Sequence, residues 1–156
     1  MVIAGTLSEE VKQTGADIAR CQGRTAPHRD MAGLGAKVAV VDDDPRMRHS
    51  IGNLLESAGY SAAMFMSAEE FLQAGPPAET KCLVLDVWMQ GMDGLQLQHL
   101  LKTVCPLLRV IFVTAHYDEG IRQRAVKQGA AHFLRKPFDA SELLRTVDEC
   151  MKSDSE

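Results

Sequence analysis

From Lys37 almost to its end, the chain alternates short apolar runs with longer stretches whose apolar positions recur every three or four residues. The short runs, Val38 to Val41, Tyr60 to Phe65, Cys82 to Leu85, Val110 to Val113 and Ala131 to Leu134, read as strands. Most of them are continuously apolar, as strands buried on both faces are. Met47, Ile51, Leu54, Leu55 and Ala58 mark one face of a helix that Asp44-Pro45 opens and Gly59 closes. Ser67 with Glu70 forms a capping box for a helix through Leu72, ended by Gly75-Pro76-Pro77. Further helices are predicted from about Leu95 to Val104, from near Asp118 to Gly129, and from Asp139 or Ser141 onward, the last with Leu143, Leu144, Val147 and Cys150 on its apolar side. Five strands alternating with five helices predict an α/β domain, a doubly wound parallel sheet with both faces covered. Right-handed crossovers then bring every strand's carboxyl end to one edge.

Residues 1–36 break this rhythm. Thr6 with Glu9 suits a short helix, but Gly15 interrupts it and the stretch to Ala36 is rich in glycine and polar residues, so a weakly structured extension is expected, and whether translation starts internally at Met31 is left open. Residues 37–152 form the domain and 153–156 a polar tail. At 156 residues, 46% of them hydrophobic, the chain suits one domain with a sizeable core. A net charge of -4 weighs against direct nucleic-acid binding through a basic surface. The four cysteines form no paired motif and read as reduced thiols. With no apolar stretch of membrane-spanning length and no signal peptide, the cytoplasm is expected.

The strand ends carry the candidate chemistry. Asp42 and Asp43 follow the first strand, Asp86 the third, Thr114 the fourth and Lys136 the fifth. Asp44 is a helix cap, and any one of the others alone is ordinary turn or surface chemistry; together they make a site. Three crowded carboxylates resist joint ionisation, and a hard divalent cation, Mg²⁺ or Mn²⁺, relieves the conflict. The lysine and the hydroxyl then suit a dianionic phosphoryl group.

These motifs, VVDDDP, LDVWMQGMDG, VTA and FLRKPF in order and spacing, make the chain resemble the receiver domains of two-component response regulators, from about Lys37 to Met151. SAEEFL and KPF are most similar to receivers of nitrogen-fixation and nitrate-type regulators. The resemblance implies a flavodoxin-like sheet of order 2-1-3-4-5 and a phosphorelay role. It further implies Asp86 as phosphoacceptor, and Mg²⁺ held by Asp42, Asp43, Asp86 and the Trp88 backbone carbonyl. Thr114 and Lys136 would sit on the phosphoryl oxygens, Thr114 and Phe133 would act as the switch pair, and the Lys136-Pro137 bond would be cis. The partners implied are a sensor histidine kinase or histidine phosphotransfer protein and a protein target.

Gln90 stands where the family usually has proline, which predicts a less rigid loop after Asp86. Trp88 and His116 flank the approach to the acceptor; Trp88 is read equally as a shield against water or as a surface aromatic for a partner, and His116 as a rim residue. A regulator acting on its own through protein contacts is expected, with a homodimer through helix 95–104 or the last helix left open. Two other functions compete. An aspartyl-phosphate phosphatase or phosphotransferase would need an acid where Trp88 stands. A phosphorylation-independent interaction module would not need the full acid, hydroxyl and lysine set.

Overall fold

The computed structural model describes residues 37–76 and 79–153, so the expectations for the N-terminal extension, Met31 and residues 154–156 lie outside the described residues. The β-branched and apolar runs form β1 (Lys37–Val41), β2 (Ser61–Phe65), β3 (Thr80–Asp86), β4 (Arg109–Thr114) and β5 (His132–Arg135). Between and after them run α1 (Pro45–Ser57), α2 (Ala68–Ala74), α3 (Gly94–Val104), α4 (Glu119–Lys127) and α5 (Ala140–Ser153). All pairings are parallel and the order is β2-β1-β3-β4-β5, a flavodoxin-like arrangement.

Because strand side chains alternate in direction, each central strand feeds two cores. Ala39, Val41, Leu83, Leu85 and Phe112 point to a core closed by Phe71 and Leu72 of α2, Leu95, Leu97 and Leu101 of α3, and Ala125 of α4. Val38, Val40, Cys82, Val84, Ile111 and Val113 point the other way, under Ile51 and Leu55 of α1 and Leu143, Val147 and Cys150 of α5. Burial on both faces is why these strands lack the alternation of a half-exposed sheet.

The helix starts follow local chemistry. Asp44 caps α1 through a bond from the Arg46 N–H at 3.0 Å, with Pro45 in the first turn, and Asp118 caps α4 by accepting from Ile121 N–H. Ser67 caps α2 by accepting from Glu70 N–H, but the returning Glu70 carboxylate takes the N–H of Met66, one residue before the position a strict capping box uses. α3 begins at Gly94, a residue earlier than the periodicity suggested, because Asp93 and Gln96 form a complete capping box. On the α1/α5 side, the Tyr60 hydroxyl donates to Asp148 of α5 and His132 lies 3.0 Å from Glu149.

Register aligns the strand ends. Val41 pairs with Leu85, Asp86 with Val113, and Thr114 with Arg135, so the residues that follow converge on one edge. The chain leaves β1 for β2 on one side and reaches β3 on the other, which opens a crevice above β1 and β3.

Candidate functional site at the carboxyl edge

Asp42 is the most enclosed acid of the crevice, 1% exposed. Its Oδ1 accepts the Asp44 N–H at 2.9 Å, an Asx-type turn, and its backbone carbonyl accepts from Arg48 Nη1 at 2.7 Å. Both contacts come from the turn into α1, so the acid is set by its own sequence neighbourhood. Asp86 ends β3 at 6% exposure, and Asp43 stands exposed beside it. One carboxylate oxygen from each of Asp42, Asp43 and Asp86 lies within 4.8 Å of the others.

The opposing charge arrives from β5. Lys136 Nζ is 3.1 Å from Asp42 Oδ2 and 3.8 Å from Asp86 Oδ1. The Lys136-Pro137 peptide is cis, and the Lys136 N–H is held by the Thr114 carbonyl at 2.7 Å. Burial is the main force that raises the Asp86 carboxyl, to about 7 from 3.8; the nearby Asp42 charge adds to it, while Lys136 and a hydrogen bond from the Trp88 N–H oppose it. Such a carboxylate ionises readily only when more positive charge arrives. An all-oxygen donor set holding one partly neutralised acid fits a hard divalent cation of the Mg²⁺ kind.

Thr114 ends β4 fully buried, and its hydroxyl is occupied locally: it donates to the His116 carbonyl at 3.2 Å and accepts the His116 N–H at 3.1 Å. Phe133 is half-buried, its ring 6.0 Å from Phe112 and 6.1 Å, edge to face, from Tyr117. The Arg135 guanidinium lies 4.9 Å over the Tyr117 ring. Trp88 is 45% exposed and directs its indole N–H to the His116 carbonyl at 3.4 Å, so it spans the loops after β3 and β4. His116 is exposed at the rim and is not among the clustered acids.

Asp42, Asp43, Asp86 and Lys136 thus meet, with Thr114 at the end of β4 and Trp88 in the loop after β3. Sequence reasoning overlooked two supporting contacts: Arg48 on the Asp42 carbonyl, and Glu69 of α2, whose Oε2 accepts the Met92 N–H at 2.9 Å. The two-residue spacing of Asp42 and Asp44 signals the Asx turn. Nothing in the sequence signals that Glu69 faces a loop more than twenty residues away.

The response regulator receiver domain model matches residues 38–148. Nodulation protein W of Bradyrhizobium diazoefficiens is 45% identical over 116 residues, 74% of this chain and 51% of that protein. Transcriptional regulatory protein FixJ of Azorhizobium caulinodans is 42% identical over 110 residues, 70% of this chain and 52% of that protein. The chain spans about half the length of the curated relatives it matches. Among solved structures, response regulator StyR superposes with a TM-score of 0.70 at 39% identity, over 76% of this chain and 60% of that one. A response regulator receiver domain protein from Clostridium thermocellum gives 0.73 at 27% identity, over 77% and 97%.

Proposed function

We propose that this chain, which belongs to the response regulator receiver family of two-component systems, takes a phosphoryl group on Asp86 from the phosphohistidine of a sensor kinase or histidine phosphotransfer protein and signals through protein contacts. It is a phosphorylatable module whose only chemistry is on itself. The observation that supports this reading is the convergence of Asp42, Asp43 and Asp86 within 4.8 Å, with Lys136 at 3.1 and 3.8 Å from two of them.

In the proposed step, an Asp86 carboxylate oxygen attacks phosphorus in line, the O–P bond forms as the N–P bond breaks, and the imidazole leaves with the bond pair. An ionised carboxylate needs no general base. Asp42, Asp43, Asp86 and the Trp88 carbonyl would hold Mg²⁺, which supplies neutralising charge to the phosphoryl oxygens. Lys136 already stands between Asp42 and Asp86 and takes up the remaining negative charge. Thr114 exchanges its bond to the His116 carbonyl for a phosphoryl oxygen, and Phe133 moves into the space beside Phe112. The switch therefore reaches the surface through Tyr117 and α4.

Intact-protein mass after incubation with acetyl phosphate and Mg²⁺ tests the reading. The wild type is expected to gain one phosphoryl group, and Asp86→Asn none. A folded, Mg²⁺-binding protein that forms no adduct with acetyl phosphate or with phosphorylated kinase would overturn it.

A further inference from the structure

The loop between β3 and α3 is held from three sides. Trp88 Nε1–H reaches the His116 carbonyl at 3.4 Å, Gln90 N–H reaches Asp43 Oδ2 at 3.4 Å, and Met92 N–H reaches Glu69 Oε2 at 2.9 Å. The shortest of the three comes from outside the acidic cluster. Glu69 lies in the first turn of α2, and that turn is itself fixed: Ser67 Oγ accepts from Glu70 N–H at 3.0 Å and Glu70 Oε1 accepts from Met66 N–H at 2.6 Å. The Glu69 carboxylate therefore reaches the loop from a firm base.

Gly91 shows how closely the two parts fit. Its φ is +75°, and a Cβ there would stand 2.8 Å from Glu69 Oε2. A side chain at 91 would both strain the backbone and displace the carboxylate. Next to it, Gln90 leaves φ free to rotate and offers an N–H, where a proline would fix φ and offer none. The loop's order must then come from outside its own covalent structure.

We propose that Glu69 is a positioning residue for the loop of residues 88–92, and through it for the Gln90 N–H on Asp43 and the Trp88 backbone. Its carboxylate supplies the restraint that the backbone at residue 90 does not. This rests on the reading of Asp42, Asp43 and Asp86 as a cation-dependent phosphorylation site, and adds a residue of α2 to the parts that shape it. The bond is charge-assisted and lies at the surface, so its loss frees the loop locally and leaves the sheet intact.

Two variants separate this from a merely structural role. Glu69→Gln keeps a carbonyl acceptor at the same reach, while Glu69→Ala removes it. In metal-free protein, hydrogen exchange at the Met92 amide is expected to quicken about tenfold in Glu69→Ala and far less in Glu69→Gln, with β1 and β3 amides unchanged. The dissociation constant for Mg²⁺, read from the fluorescence of Trp88, the sole tryptophan, is expected to rise several-fold in Glu69→Ala and to stay close to the wild-type value in Glu69→Gln. Unchanged Met92 exchange in Glu69→Ala, or an equal loss of Mg²⁺ affinity in Glu69→Ala and Glu69→Gln, would overturn the proposal. If the wild type itself fails to bind Mg²⁺, the phosphorylation reading falls, and Met92 exchange in the metal-free protein still decides the role of Glu69.

Discussion

Asp86 is where burial and charge oppose each other most directly. Its carboxyl is raised from 3.8 in the unfolded chain to about 7 in the folded one. Below the lower value both states hold the proton and burial costs nothing. Between the two, only the unfolded chain releases it, so folding stability falls as pH rises, and above about 7 the loss is complete. Thermal melts in EDTA are expected to show this decline between pH 4 and 8. Added Mg²⁺ should raise the melting temperature more at pH 8 than at pH 5.5. Asp86→Asn removes the penalised charge and is expected to stabilise the metal-free protein at pH 8 by about 1–3 kcal/mol, while abolishing the Mg²⁺-dependent shift. At Trp88, the bond from the indole N–H to the His116 carbonyl joins the loops after β3 and β4. Trp88→Ala is expected to shorten the phosphorylated lifetime several-fold, measured as loss of the mass adduct with time; an unchanged decay would assign the ring to the surface alone. The acids and the lysine were legible at this scale because each sits at the end of an apolar run. Glu69 was not, since an exposed glutamate in a first helical turn already has an explanation in the helix dipole.

Elements were legible where periodicity and caps agreed, and less so where a glycine served two purposes. Gly94 looks like loop, because glycine is a poor helix former. It is the first residue of α3 because a Cβ there would lie 2.4 Å from the Asp86 carbonyl, and its N–H bonds the Val87 carbonyl at 2.9 Å. The helix must begin against the end of β3, and only glycine fits. Gly94→Ala is expected to destabilise the fold by about 2 kcal/mol and to slow phosphorylation with it. Asp93→Ala, which removes the capping box but leaves this close approach, is expected to cost about 1 kcal/mol with phosphorylation largely kept. Urea denaturation beside phosphorylation kinetics checks both. The loss of proline at residue 90 predicted a looser loop, whereas the loop is tied to α2 and Asp43 through hydrogen bonds between residues distant in sequence. Such bonds leave no trace in local pattern.

Over the whole molecule, the common edge and the convergence of the acids on it followed from right-handed connections between alternating elements, whereas the sheet order came from the family resemblance. The lateral packing did not: Gln98 donates to the Ala125 carbonyl and accepts from Gln128, joining α3 to α4 through a buried amide that composition alone presents as surface. The same topology sets an order in time. The bond from Lys136 to Asp42 joins residues 94 apart in the chain, so the ends of β1 and β5 must meet across nearly the full length of the domain. Contacts of that separation form slowly, because loop closure must be completed before they contribute. In refolding followed by stopped flow, helical circular dichroism is expected to return before the Mg²⁺-dependent Trp88 signal, which should track the slowest productive phase; simultaneous recovery would refute the sequence of events. During synthesis, β1 emerges with two of the three acids directly behind it and must await β5, so a ribosome-bound chain can display its acidic pair long before it can neutralise it.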